Sequence, residues 1–151
     1  MNETEVIAYI MDSLGGVDRI GESGSSFFFF DPGQGAKPDR RFPFATLVTN
    51  NDHDTASQLD RAGVYRLNIG VRPQTYQAMF GPQPPFPRDG GVVQTGHDFA
   101  ALDRLMPHPV YASMSWVCVL NPSRETFRGV RPLLAEAYAL AAQAFTPILA
   151  P

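Results

Sequence analysis

Near the start of the chain, Val6, Ile7, Ile10, Met11 and Leu14 recur at three- and four-residue spacing, which lays one apolar stripe along a helix. Asn2 can cap it, Glu5 can reach back to the cap as in a capping box, and Gly15-Gly16 ends it. The last part of the chain repeats the pattern at Val130, Leu133, Leu134, Ala137, Ala141, Ala144, Phe145 and Ile148. Asn121 or Ser123 offers the cap, and Arg131 before Pro132 predicts a boundary or kink.

Between these helices the period changes. Tyr65, Leu67, Ile69 and Val71 alternate with Val64, Arg66, Asn68 and Gly70, the two-residue period of a strand with one core face. Phe27 to Phe30, stopped by Asp31-Pro32-Gly33, predicts a strand covered on both faces. Residues 44–49 and the apolar run 115–120 predict two more strands, and Gly21 to Ser26 reads as a Gly/Ser-rich link. Pro73 suits the first position of a short helix reaching about Phe80. Helical turns are expected near 57–63 and 99–105. Residues 33–43 form a loop, and residues 81–97 a long Pro/Gly-rich one, a length that in a compact domain marks a functional or mobile segment.

Connections between successive strands are too short for full crossover helices. The expected fold class is therefore α+β: one domain over residues 1–151, a mainly antiparallel sheet of about four to five strands packed by N- and C-terminal helices. At 151 residues, 44% hydrophobic and 18% charged, the chain has ordinary globular composition. It shows neither a secretory leader nor a run of roughly 20 apolar residues able to span a bilayer, so a cytoplasmic protein without membrane partners is expected.

Charge narrows the partners. The net value is −3, and six acids fall within residues 1–36 against Arg19 alone. The other 115 residues hold 11 bases and 9 acids, no electrostatic footprint for nucleic acid. All the bases but Lys37 are arginine. A lone Cys118, within an apolar strand, excludes an internal disulfide and reads as a buried thiol; Trp116 reads as core.

Catalytic motifs are missing. His53, His97 and His108 lack the spacing of zinc sites. There is no nucleophile elbow, dinucleotide fingerprint or phosphate-binding loop. No cofactor is expected. One feature stands out: Arg66 and Asn68 lie side by side on the polar face of the best strand, where an arginine can grip a carboxylate or phosphate. With Asn51 and His53 of the polar loop 50–54, His108, and the 81–97 loop, they define a candidate binding site.

The order Leu67-Asn68-Ile69-Gly70-Val71, a short helix, a Pro-rich segment, His108-Pro109-Val110-Tyr111, strand 115–120, Asn121-Pro122-Ser123 and Leu133-Leu134-x-x-Ala137-Tyr138 resembles a family of small bacterial proteins of unknown function. More distantly, the strand holding Trp116-Val117 and the last helix resemble the MmcQ/YjbR family, which implies an antiparallel sheet flanked by helices and a predicted DNA-binding role. The leading expectation is a non-catalytic binding module for a small molecule or a protein segment. Alternatives are weak DNA binding, for which the acidic, lysine-poor chain is ill suited, an enzyme using His53, His97 or His108 with carboxylates, and an accessory or homodimeric protein without its own chemistry.

Overall fold

The computed structural model describes residues 1–33 and 42–145. Helix α1 (Glu3–Ser13) begins at the expected capping box: Asn2 Oδ1 accepts from the Glu5 amide at 2.8 Å, and Glu5 Oε1 accepts from the Asn2 amide. Strands β1 (Val17–Glu22) and β2 (Ser25–Phe30) form a hairpin, followed by β3 (Ala45–Val48), β4 (Arg66–Gly70), helix α2 (Pro73–Phe80), β5 (Met106–Pro107), a 3-10 turn (Ala112–Met114), β6 (Trp116–Leu120) and helix α3 (Arg124–Ala144). The sheet has six strands in the order β1-β2-β3-β4-β6-β5, every pair antiparallel.

The extra strands correct two expectations. Residues 21–26 are the tip of a hairpin rather than a link. Ser23 and Gly24 both have positive φ, 51° and 84°, the two-residue turn whose twist matches paired strands. β1 escaped detection because an exposed edge strand has little apolar alternation to read: only Val17 and Ile20 mark it. β5 is two residues long and shows no period at all. The helical turns expected near 57–63 and 99–105 are turns and bends without helix. The expected loop 33–43 lies largely outside the described residues, as does Ile148.

Pairing registers sort the side chains onto two faces. Ala45 opposes Ile69, Leu47 opposes Leu67, and these oppose Val117 and Val119. That face is covered by α1 and α3, whose Val6, Ile10, Phe127, Val130 and Leu134 join it in the core. The helices also meet each other, with Tyr9 edge-on to Phe127 at 5.2 Å and Glu5 paired to Arg124. Tyr65 donates to the Met1 carbonyl at 2.6 Å, tying β4 to the start of α1. Tyr65, Leu67, Ile69 and Val71 are all buried, as their alternation predicts.

α3 runs through Pro132 as one helix. The proline leaves the Arg128 carbonyl without its helical donor, but both residues lie on the exposed face, where water can serve that carbonyl. α2 has no side-chain cap of its own. Glu136 of α3 supplies it, accepting from the Arg72 amide at 2.9 Å and the Thr75 hydroxyl at 2.7 Å. No helix among the described residues is long and apolar enough to cross a membrane.

Leu67 is wholly enclosed between neighbouring strands and the two helices. Leu67→Ala is expected to destabilise the protein by about 3 kcal/mol through lost transfer energy and a residual cavity, read as a lower urea midpoint at unchanged m-value. A loss below about 1 kcal/mol would mean that the helices do not close over this face.

Candidate functional site

The opposite face of the sheet carries the polar residues. In register across its middle lie Phe27, Thr46, Asn68, Cys118 and Met106, and beside them Val48, Arg66 and Leu120. Arg66 is 1% and Asn68 3% exposed, so neither is an open surface residue. A charge so enclosed must be paired and hydrogen-bonded. Arg66 Nη1 and Nη2 donate to Asp54 Oδ1 and Oδ2 at 3.0 and 2.8 Å, a two-pronged grip. Nη1 also donates to Ser57 Oγ at 2.8 Å, and Nε to Asn68 Oδ1 at 2.9 Å. Asn68 Nδ2 passes the chain on to Thr46 Oγ1 at 2.9 Å. Asp54 thus fills the place where an external carboxylate or phosphate was expected to bind Arg66.

The loop that brings Asp54 in is built from local side-chain turns. Asn50 Oδ1 accepts from the Asp52 amide, Asp54 Oδ1 from the Ala56 amide, and Asn51 Oδ1 from the Leu59 amide. Asn51 is therefore a loop brace and does not line the site. Arg61 pins the far end through the Ser57 and Ala100 carbonyls. His53 stays exposed at the rim, edge-on to Phe27 at 5.9 Å.

His108 is 3% exposed. Its Nδ1 accepts from the Val110 and Tyr111 amides, each at 3.0 Å. In the neutral ring the proton therefore sits on Nε2, which has no hydrogen-bond partner among the described residues. Burial, aided by the Arg66 cation, pushes the His108 pKa down to about 3, against the opposing pull of Asp54. For Asp54, burial favours the neutral acid, yet the hydrogen bonds and charge of Arg66 outweigh it and hold the carboxyl below its ordinary value. Cys118, wholly buried, has its thiol pushed up to about 12.

Thr46, Asp54, Arg66, Asn68 and His108 floor a cavity of about 1190 Å³, which Phe27, Phe29, Trp116, Tyr111 and Met114 help wall and which extends to Ala141 and Phe145 at the end of α3. Two sequence readings change here. Phe28 alone of the phenylalanine run is core; Phe27 and Phe29 are half-buried against the cavity. Trp116 is half-buried too, its indole lying over Gly70 on the paired strand. A Cβ at Gly70 would sit 2.9 Å from the ring, so glycine there lets the indole lie flat.

The 81–97 loop is not among the cavity's lining residues. Phe86 packs on Tyr111 and Gln83 donates to Ser115 Oγ at 3.0 Å, so the loop buttresses one wall from behind. His97 is also elsewhere, between Phe80 and Phe99. Among the described residues no group of three or more His, Cys, Asp or Glu could hold a metal ion. Asp54, Ser57 and Thr46 were missed as site residues because serine, threonine and aspartate are common in loops and strands. Only the Asn/Asp density of 50–54 hinted at a built turn.

A sheet with two helices on one face and an enclosed polar floor on the other defines a small α+β protein with a concave site. The chain belongs to the family of unknown function DUF6194, which matches residues 1–147. Among solved structures it is similar to the Deinococcus radiodurans protein DR2400, a DUF419 domain, at 14% identity over 97% of this chain and 83% of that one, with a TM-score of 0.53. At that identity the likeness shows a shared fold. No curated protein matches the chain.

Asp54→Ala leaves Arg66 buried and unpaired, and is expected to cost about 3 to 5 kcal/mol, while Asp54→Ala combined with Arg66→Met recovers most of that loss. Additive losses in the double variant would show that the pair is not coupled. The buried histidine adds a pH dependence. Unfolded His108 takes up a proton near its ordinary 6.5, whereas the folded ring does so only near 3. Its contribution is therefore complete above about 6.5 and is lost as pH falls toward 3, with a slope of more than about 1 kcal/mol per pH unit. Asp54, lowered from 3.8, adds a further loss only below that value. Urea titrations at pH 7 and 5 should show the first slope in the natural protein and not in His108→Asn.

Proposed function

We propose that this protein is a non-catalytic binding module whose ligand is a small molecule seated over Arg66 and Asn68 on the open face of the sheet. One observation carries the reading: a connected, nearly buried polar network forms the floor of a cavity with aromatic walls. Small-molecule sites have this make-up, mainly apolar linings with a few placed polar groups in roughly 300–1,000 Å³. A buried network is costly to keep unless fully satisfied, and its hydrogen bonds give the floor a definite shape.

The electrostatics favour binding over catalysis. A general base works best with a pKa near the operating pH, and burial moves His108 far below it. The Cys118 thiol is enclosed and held neutral, which denies it the thiolate that attacks. A nucleic-acid ligand is disfavoured because the arginine of the concave face is already neutralised by Asp54. The finer kinship with the MmcQ/YjbR family belongs to this proposal as well. It is supported by the fold shared with the Deinococcus domain and lends this chain no DNA contact.

Trp116 is the one tryptophan and stands in the cavity wall, so the site carries its own reporter. Titration with N-phenyl-1-naphthylamine, an uncharged aromatic probe, is expected to quench Trp116 saturably with a Kd on the order of 10 µM. Thr46→Phe, which sets a ring over the floor, should weaken that at least about tenfold while the circular dichroism spectrum stays unchanged. Quenching of the natural protein that rises linearly without saturation, with this probe and equally with 1-anilinonaphthalene-8-sulfonate and prodan, would reject a small-molecule site.

A further inference from the structure

Two properties of the floor bear on the kind of ligand it takes. The first is its charge balance. Among the described residues, Asp54 and Arg66 are the acidic and basic side chains that border the cavity, and they are spent on each other through both carboxylate oxygens. Four of the five N–H bonds of the guanidinium are engaged, by Asp54 twice, Ser57 and Asn68. An anionic ligand would have to displace Asp54 and leave that carboxylate, with 13% of its side chain exposed, without its cation. A cationic ligand would face Arg66 with no free carboxylate among the described lining residues.

The second property is an open donor. The His108 ring borders the cavity and is nine-tenths or more buried. Its Nδ1 is occupied by two backbone amides, which places the remaining proton on Nε2. That nitrogen has no acceptor among the described residues. The ring lies in the cavity wall and Nε2 is not among the sealed, unsatisfied polar atoms, so it is open to the cavity and positioned to donate to whatever fills that space. The same cavity is lined by aromatic groups, Trp116, Tyr111 and Phe27 among them, suited to a planar body.

We propose that this site takes an uncharged aromatic ligand bearing a carbonyl oxygen, a ketone or an amide, with His108 Nε2–H as the donor to that oxygen. The proposal rests on the small-molecule reading above and adds to it the ligand's charge and its acceptor. His108 acts as a binding and specificity-determining residue. Because the ring stays neutral, it distinguishes an acceptor from a donor rather than one charge from another. Donor-built sites discriminate strongly against analogues that lack the matching group.

Three naphthalene probes separate these statements: N-phenyl-1-naphthylamine, its sulfonated anionic analogue 1-anilinonaphthalene-8-sulfonate, and the uncharged ketone prodan. Each is titrated against Trp116 fluorescence in the full chain. Prodan is expected to bind most tightly, and the sulfonate at least about tenfold more weakly than its uncharged parent. His108→Asn keeps an acceptor for the Val110 and Tyr111 amides but is too short to present an N–H where Nε2 lies. It should weaken prodan roughly fivefold, move the bound probe's emission to shorter wavelength as its carbonyl loses a donor, and leave N-phenyl-1-naphthylamine unchanged. If the sulfonate binds as well as its parent, or if His108→Asn alters neither the affinity nor the emission of prodan, the inference falls while the cavity remains a binding site. The probe pair tests charge in the natural protein, independently of any variant. If none of the three quenches Trp116 saturably up to about 100 µM, the small-molecule reading fails and the inference with it.

Discussion

The ion pair between Arg66 and Asp54 is the constraint from which the rest of this architecture follows. An arginine on a central strand, all but sealed from water, is tolerable only if its charge and its N–H groups find partners. Asp54 meets that need from the loop after β3, Asn68 from two residues along the same strand, and Ser57 from three residues further along that loop. The segment between β3 and β4 is thereby drawn down onto the sheet. It is anchored at Asn50, Asn51 and Arg61 and carries His53 to the rim.

The two faces of the sheet divide the work. One is closed by α1 and α3 over Leu47, Leu67 and Val119, where burial of apolar area supplies the stability. The other holds a cavity, and no helix among the described residues spans its middle. Loops, the buttressed wall at Tyr111, and the end of α3 enclose it instead. α3 therefore has two roles along its length. Its first half packs into the core, and its second half both caps α2 through Glu136 and borders the cavity at Ala141. Gly70 leaves room for the Trp116 indole to lie against β4 in the cavity wall.

Enclosure also shapes the chemistry. The same burial that keeps Asp54 and Arg66 together holds His108 and Cys118 in their neutral forms. The floor is dense in polar atoms yet carries no net charge, and its hydrogen bonds are directed. Shape and hydrogen-bond direction, rather than electrostatic attraction, are the features a ligand would meet there.

Read alone, the sequence determined what depends on neighbours within a few residues. The capping box of α1, the alternation from Tyr65 to Val71, the proline start of α2 and the apolar stripe of α3 are local patterns with local causes. The antiparallel α+β class followed from the short connections between strands. Arg66 and Asn68 were legible as a polar pair on one face of an alternating strand, and His108 as a candidate residue set between two prolines. Only the tertiary structure decided that Asp54 is the partner of Arg66, that Asn51 braces a loop, and that Trp116 and three phenylalanines of the run, Phe27, Phe29 and Phe30, line a cavity instead of a core. It also decided that the 81–97 loop stands behind the wall. The physical reason is that periodicity records which side of an element a residue faces, not what faces it. Arg66 gains a partner from 12 positions away and Glu136 caps a helix 64 positions away; such pairings exist only once the chain has closed on itself.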